Sequence, residues 1–411
     1  MIETTGFRLD NGLRVVHNYM PSTAMVAVVT LYDVGARDEH SDHTGLAHLF
    51  EHLMFGGSQN VDDFDGELQK AGGTSNAWTS NDFTVFYDVV PVHNLETVFR
   101  LESDRMLRPA LSDKSIDVQR SVVIEEFKQR CLNQPYGDRS HLLRSAAFTV
   151  HPYSWPVIGK SPDHIRDVSR EEIIRFFDEH YGPDSAVIAV CGNVSAEEVR
   201  RLVEKWYGDI PARNIASRNL PQEPPQTAPR LVEASGNVPS TTITLAWKMD
   251  GYGTPGYYAA DLLTDVMANG HASRFYRQLM MESGQFANVD ASIWGSEEPG
   301  LLMVNATLLH KGERAEKEAL DSIWQQLDRL IAEAPSDYEL QRVLNRNEST
   351  VTFNNMSYLN KAINLARCEI HGININDEMK PYLSVSPQDI QRTALEIFNP
   401  DRLTTVIYRP A

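Results

Sequence analysis

His48, Glu51 and His52 are spaced His-x-x-Glu-His within Thr44-Gly45-Leu46-Ala47-His48-Leu49-Phe50-Glu51-His52-Leu53-Met54-Phe55-Gly56-Gly57. On a helix, residues four apart lie one turn apart on one face, so both imidazoles can reach a single ion. Glu51 lies beside them, about 60° round the axis from His48. Two imidazoles with a third protein ligand suit zinc and leave a fourth position for water. Zinc brings the pKa of that water to about 7 and polarises a scissile carbonyl. Glu51, held between the two ligands, is placed to take the water's proton and deliver it to a leaving amine. The chemistry expected of these residue types at this spacing is zinc-dependent amide hydrolysis.

The elements that must position these groups can be read from the same stretch. Leu46, Leu49, Phe50, Leu53 and Met54 follow the i, i+3, i+4, i+7, i+8 rule of a buried helical stripe. Thr44 is the expected N-cap, and Gly56 or Gly57 the left-handed stop. His48 and His52 fall opposite the stripe, where a core histidine would not sit. The bland alternative is a pair of exposed histidines with a chance glutamate. A third ligand is sought in the helical run Ser115 to Leu132, which contains Glu125 and Glu126. Its apolar stripe is Ile116, Val123, Phe127 and Cys131. Glu126 flanks that stripe on the side of Gln119 and Val122, while Glu125 points nearly opposite. A ligand must be partly buried and held by its neighbours, which favours Glu126 over Glu125; an ordinary exposed acidic pair is the other reading.

The chain around these elements has 411 residues, 42% of them hydrophobic, and a formal charge of −18 from 38 basic and 56 acidic residues. That length suggests about 2 to 3 domains with sizeable cores. The acidic balance argues against nucleic-acid binding and reads first as a solvated surface. Cys131, Cys191 and Cys368 are far apart and odd in number, so no disulfide framework is expected and a reducing compartment is the default. The opening Met-Ile-Glu-Thr-Thr-Gly lacks the basic and apolar regions of a signal peptide, which points to the cytoplasm. A chain whose leader had been trimmed would look the same, which keeps the periplasm open. No apolar run reaches about 18 residues, so no membrane span is expected.

The chain also repeats itself. Val168-Ser169-Arg170-Glu171-Glu172-Ile173 matches Val385-Ser386-Pro387-Gln388-Asp389-Ile390 at an offset of 217, and the register runs on through Tyr181/Phe398, Pro183/Pro400 and Asp184/Asp401. Each copy reads as a helix, a Pro-Asp turn and an apolar strand, Ala186 to Val190 and Leu403 to Ile407. At the front of each half, a strand (Val26 to Leu31; Thr242 to Trp247) precedes a loop and a helical run (Leu46 to Phe55; Ala259 to Met267). Here Met54/Met267 and Gly57/Gly270 pair at an offset of 213. Between the halves Pro211, Pro221, Pro224, Pro225 and Pro229 mark a semi-rigid linker. The expected organisation is a zinc-binding domain over 1–212, a linker over 213–229 and a homologous domain without zinc over 230–411. The fold class is α+β, each domain a mostly antiparallel sheet packed with helices.

At the His-Leu-Phe-Glu-His motif the sequence resembles the inverted-zincin peptidases, the family of pitrilysin, insulin-degrading enzyme and the mitochondrial processing peptidase. The family's third ligand follows the second His by about 75 residues, and Glu126 follows His52 by 74. The context Val122-Val123-Ile124-Glu125-Glu126-Phe127 resembles the family's ligand helix. A second glutamate that members often carry seven residues earlier is Gln119 here. The resemblance extends through Leu9 to Val16, Gly72 to Thr79, His151 to Gly159 and the Tyr181-Gly182-Pro183 turn. His151 looks structural in the family and is left out of the site. The resemblance implies two homologous α+β halves around a closed chamber, with full-size one-chain members holding four such units, so this length implies dimerisation. It also implies that substrates add as a strand to the edge formed by Asn76, Ala77, Trp78 and Thr79, although a plain sheet edge would read the same. Catalytic members carry an Arg and a Tyr seven residues apart in the second half, after a run like Ser273-Arg274-Phe275-Tyr276-Arg277-Gln278-Leu279. Those places hold Met280 and Ala287 here. The departure suggests the zinc-bearing subunit of a heterodimer whose homologous partner supplies Arg and Tyr. A homodimer with Arg274 or Arg277 as the donor, or a misalignment by a few residues, are the other readings.

Gly251-Tyr252-Gly253-Thr254-Pro255-Gly256 matches a dinucleotide fingerprint, but no second strand ending in an acid follows, and Pro255 removes a backbone donor. Asp38-Glu39-His40-Ser41-Asp42-His43 is acidic enough to hold a metal but is expected to be a solvated loop. Asp261-Leu262-Leu263-Thr264-Asp265 occupies the place of the zinc motif in the second half. A non-catalytic scaffold or processing subunit of peptidase ancestry is therefore the rival to a zinc endopeptidase. An acidic chamber would prefer basic peptides.

Overall fold

The computed structural model describes residues 1–411. The apolar runs expected as strands become β3 (Met25–Tyr32), β6 (Ala186–Gly192), β8 (Thr242–Met249) and β11 (Thr404–Pro410). The other strands are β1 (Thr5–Arg8), β2 (Arg14–Tyr19), β4 (Thr74–Thr79), β5 (Thr84–Pro91), β7 (Arg230–Gly236), β9 (Phe286–Trp294) and β10 (Gly300–Leu308). The helices are α1 (Leu46–Leu53), α2 (Phe64–Lys70), α3 (Leu95–Leu107), α4 (Asp113–Phe127), α5 (Arg139–Ala147), α6 (Pro162–Asp167), α7 (Arg170–His180), α8 (Ala196–Tyr207), α9 (Pro255–Ala268), α10 (Glu313–Ala332), α11 (Asp337–Asn354), α12 (Tyr358–His371), α13 (Lys380–Leu383) and α14 (Pro387–Ile397).

Two units divide these elements. The first comprises Met1–Lys128, Trp155–Leu220 and Val351–Glu378; the second comprises Gln129–Ser154, Pro221–Thr350 and Met379–Ala411. Each is an α+β unit with one sheet. The first sheet has the order β1-β2-β6-β3-β5-β4, and the second β7-β11-β8-β10-β9. Apart from β1 the two orders correspond strand for strand. In each, a single parallel pair (β2 with β6, β7 with β11) lies among antiparallel ones. Strands β3 and β8 have equal length and start 217 residues apart, the offset of the sequence repeat.

The inner strands β3, β6 and β8 are apolar without alternation because both faces of each sheet are covered there. In β3, Val26 and Val28 face the core built with α1, α3, α7 and α8, while Ala27, Val29 and Leu31 face a second core with Ala362, Leu365 and Ala366 of α12. The second sheet presents Ile243, Leu245 and Trp247 to α9, α10 and α14, and its other face, through Ala246, Leu301 and Val406, to Leu143 and Ala147 of α5. The helix that closes the first sheet thus comes from late in the chain, and the one that closes the second comes from early in it.

Residues 211–229 form neither helix nor strand, and their polar groups are anchored. In the first unit Arg213 Nη1 bonds Asp178, and Arg218 bonds Asp38 (Nε to Oδ1, 2.6 Å) and Asp33. In the second, Glu223 accepts the N–H groups of Thr149, Val150 and His151 and an ion pair from Lys248 at 2.8 Å. Burial pulls the Glu223 carboxyl up, but Lys248 and these N–H groups outweigh it and hold it at about 2.

Candidate metal centre

Helix α1 buries Leu46, Leu49, Phe50 and Leu53. Phe50 stacks on Phe176 and Phe177 of α7 and on Tyr181, which fixes the rotation of α1 about its axis. The expected cap at Thr44 is not formed. The Thr44 hydroxyl instead pairs with His164 Nδ1 (2.9 Å) and accepts the Lys160 N–H (2.8 Å). The N-cap position falls on Gly45, in the left-handed region at φ +90°, and contributes no side-chain bond. The N–H groups of Gly45 and Ala47 go to Glu39, each at 2.9 Å. The stretch from Asp38 to His43 is therefore not a solvated loop throughout. His40, Ser41 and Asp42 are exposed, but Glu39 is buried against the N–H donors of α1 and Asp38 turns in to the Arg218 guanidinium, which lessen the cost of desolvating the two carboxyl groups.

Helix α4 is capped by Ser112, which accepts the Ser115 N–H, and packs on α1. It brings Glu126 Oε2 to 3.3 Å from His52 Nε2 and 3.6 Å from His48 Nε2. The two imidazole rings stand edge to face, 4.9 Å apart between centroids. Glu125 lies on the other side of α4, its side chain 71% exposed and bonded to Lys128 Nζ at 2.6 Å. A tetrahedral zinc with bonds of about 2.0–2.1 Å separates its ligand atoms by about 3.3 Å. The spacings at Glu126 match that separation, and all three donor atoms lie within 4.8 Å of one another. No other three His, Cys, Asp or Glu side chains in the chain converge in this way. Nitrogen and carboxylate donors at these distances fit zinc, so the residues present suit the metal that their spacing suggested.

Glu51 faces the same side of α1, and its Oε2 accepts the Thr79 hydroxyl at 2.6 Å. Thr79 ends β4, an edge strand paired only with β5. Of the four residues expected along that edge, Asn76 is exposed, Ala77 and Trp78 are half-buried against the two faces of the sheet, and Thr79 turns its side chain to Glu51. Neither the Thr79 bond nor the role of Glu39 was legible in the sequence. Both join residues far apart in pattern, and no periodicity encodes them.

The second unit carries nothing comparable. Asp261 accepts the Tyr382 hydroxyl at 2.7 Å, and burial pushes its carboxyl up to about 6; Asp265 accepts from Asn269 at 2.5 Å. Met280 is half-buried against the core, and Ala287 is exposed on β9. Arg274 is paired with Glu339 at 2.8 Å, and Arg277 is exposed.

Two family models match in succession: "Insulinase (Peptidase family M16)" over residues 14–161 and "Peptidase M16 inactive domain" over 167–347. The chain belongs to peptidase family M16. His48, Glu51, His52 and Glu126 all fall within the first match, and Asp261 and Asp265 within the second. Among relatives of this M16 chain, the zinc protease PqqE of Helicobacter pylori is 28% identical, over 98% of this chain and 92% of that one. A probable mitochondrial-processing peptidase subunit beta of Schizosaccharomyces pombe is 25% identical, over 65% of this chain and 59% of that one. The crystal structure of a protease from Helicobacter pylori superimposes with a TM-score of 0.91 at 25% identity, and each chain is covered completely. Pitrilysin, at 17% identity and a TM-score of 0.77, shares the fold over 99% of this chain and 45% of its own. No helix of the M16 chain is long and apolar enough to cross a membrane.

Proposed function

We propose that this chain is a zinc-dependent endopeptidase that hydrolyses peptides or unfolded segments in a chamber closed by dimerisation. The observation that carries the reading is the convergence of His48, His52 and Glu126 at 3.3–3.6 Å with Glu51 alongside. Zinc, when bound, supplies a Lewis acid that polarises the scissile carbonyl and acidifies water. Glu51 accepts a proton from the attacking water at its carboxylate and returns it to the amine nitrogen as the C–N bond breaks. Thr79 donates to Oε2 and so fixes the carboxylate plane. Substrate backbone adds to the β4 edge at Asn76, Ala77, Trp78 and Thr79, where main-chain bonds give affinity with little sequence demand. The acidic balance of the chain favours basic peptides.

Met280 and Ala287 cannot bond a substrate carbonyl through their side chains. This supports a heterodimer in which a homologous subunit supplies Arg and Tyr. The homodimer alternative needs Arg274 or Arg277, and Arg274 is already committed to Glu339. The rival reading, a scaffold without catalysis, draws on the inactive-domain match, but that match begins at residue 167, beyond every proposed ligand.

Metal analysis with peptide cleavage tests the proposal, on the chain alone and with any subunit that co-purifies from its source. Near-stoichiometric zinc, lost in His52→Ala, is expected. Glu51→Gln should keep the metal and lose hydrolysis. Absence of zinc from carefully prepared protein, or full activity in Glu51→Gln, would sink the reading.

A further inference from the structure

We propose that Glu39 is a positioning residue for the metal ligands: its buried carboxylate, itself fixed by Trp155, holds the first turn of α1 and thereby the placement of His48 against His52 and Glu126. The inference rests on the zinc reading above and concerns what makes the ligand geometry reproducible.

Helix α1 has only 8 residues and no cap of its own. His48 is its third residue, so it lies in the turn whose N–H groups have no intrahelical acceptor and which frays first. Glu39 replaces the missing cap from outside the helix. Its Oε1 accepts the Ala47 N–H at 2.9 Å, one residue before the ligand. Its Oε2 accepts the Gly45 N–H and the Trp155 indole N–H, each at 2.9 Å. The same indole N–H reaches the Ala36 carbonyl at 3.1 Å, tying the carboxylate back to the turn that carries it. That turn is pinned in its own right. Arg37 pairs with Asp33 (3.0 Å) and Asp82 (3.1 Å), and Asp38 with Arg218 (2.6 Å). An unbroken set of bonds therefore runs from buried ion pairs to the backbone beside His48.

The entry to α1 has little slack. A Cβ on Gly45 would meet the Ile158 carbonyl at 3.0 Å, in a backbone conformation that already favours glycine. All three partners of Glu39 are donors, so the site is built for a carboxylate. Burial pushes this group up to about 8, even though the Gly45 and Ala47 N–H groups and the Trp155 indole pull it down. A glutamine would turn an NH2 group towards one of the N–H donors.

The test uses the full chain and zinc itself. Chelator-stripped wild type, Glu39→Gln, Glu39→Asp and Trp155→Phe are titrated with zinc against a chromophoric chelator, and the melting temperature of each metal-free protein is recorded alongside. Glu39→Gln is expected to weaken zinc binding about 10–100-fold, the range found when groups supporting a ligand are lost, at temperatures where the metal-free variant is fully folded. Glu39→Asp keeps the carboxylate and should fall between Gln and wild type; Trp155→Phe should shift the affinity in the same direction by less. A folded Glu39→Gln with zinc affinity within twofold of wild type overturns the proposal. Should that variant not fold, Trp155→Phe with unchanged affinity overturns it instead. Wild type that binds no zinc overturns the metal reading, and this one with it.

Discussion

The choice of Glu126 over Glu125 can be tested without any substrate. Binding to the native state alone stabilises a protein by RT ln(1 + [L]/Kd), about 2.7 kcal/mol at free zinc 100-fold above Kd. His48, His52 and Glu126 all lie in the first unit, of about 220 residues. For a domain of that size each kcal/mol moves the midpoint by about 2–4 °C, so zinc should raise the first unit's transition by about 5–11 °C. Glu126 Oε2 is 3.3 and 3.6 Å from the imidazole nitrogens, whereas Glu125 is exposed and paired with Lys128. Glu125→Gln removes a surface ion pair worth about 0–1 kcal/mol and should keep the zinc-dependent shift. If Glu126→Gln weakens binding 100-fold, the same zinc concentration only equals Kd, and the stabilisation falls to about 0.4 kcal/mol, about 1 °C. Scanning calorimetry of chelator-stripped protein with and without zinc reads both. A full shift in Glu126→Gln, its loss in Glu125→Gln, or a shift confined to the second unit's transition would refute the assignment.

Three further outcomes follow from the geometry. Thr79→Val removes a charge-assisted bond to Glu51 worth about 1.5–3 kcal/mol; kcat should fall about 10–100-fold with KM and zinc affinity unchanged, and Thr79→Ser should recover it, whereas wild-type kcat in the valine variant rejects Thr79 as the support of the base. Glu223→Gln should lower the second unit's stability at neutral pH by about 2 kcal/mol by weakening the contacts with Lys248 and three backbone N–H groups. Because the Glu223 carboxyl is held at about 2 in the fold against 4.5 as reference, its contribution is complete above 4.5 and disappears as pH falls towards 2; a variant with an unaltered acid limb contradicts this. Burial, with Arg367 next, brings His371 down to about 4 from 6.5, so the unfolded chain takes up its proton first and the first unit loses stability as pH drops from about 6.5 to 4. His371→Leu should flatten that limb in pH-dependent melting, leaving the same-direction contributions of His17, His164 and His180.

What was legible in the sequence was local or repeated. The four-residue spacing of His48 and His52 and the stripe on α1 are consequences of helix pitch, and the structure places those residues accordingly. The 217-residue offset predicted two like units, and apart from β1 the sheet orders agree strand for strand. What escaped was decided by packing between distant segments. Thr44 has the right chemistry for an N-cap, but His164 and Lys160 compete for its hydroxyl, and Glu39 takes the helix donors. Glu39 and Asp38 look solvated because an acidic run ordinarily is; only the donors of α1, Trp155 and Arg218 make their burial affordable. Nor does periodicity reveal that α12 closes the first sheet and α5 the second. An amphipathic helix records that it has a buried face, not which sheet receives it.

The two units together separate what the fold requires from what the chemistry requires. Apart from β1 their sheets share one strand order, and α1 and α9 follow corresponding strands. In α9 the polar positions are Asp261 and Asp265, satisfied by Tyr382 and Asn269 within the unit. That unit has internal hydrogen bonds where the first has His48 and His52. The first unit's core of Phe50, Phe99, Phe176, Phe177 and the inner faces of β3 and β6 includes none of His48, His52 and Glu126, so the framework is expected to fold without an ion. This is unlike small zinc domains, whose folding free energy is largely metal binding. If the first unit binds zinc as proposed, removing it should lower that unit's melting transition by about 5–11 °C and leave the transition cooperative. On the proposed reading the ligands are an addition to a self-sufficient fold, which is how one copy of a duplicated unit can carry His48 and His52 where the other has Asp261 and Asp265.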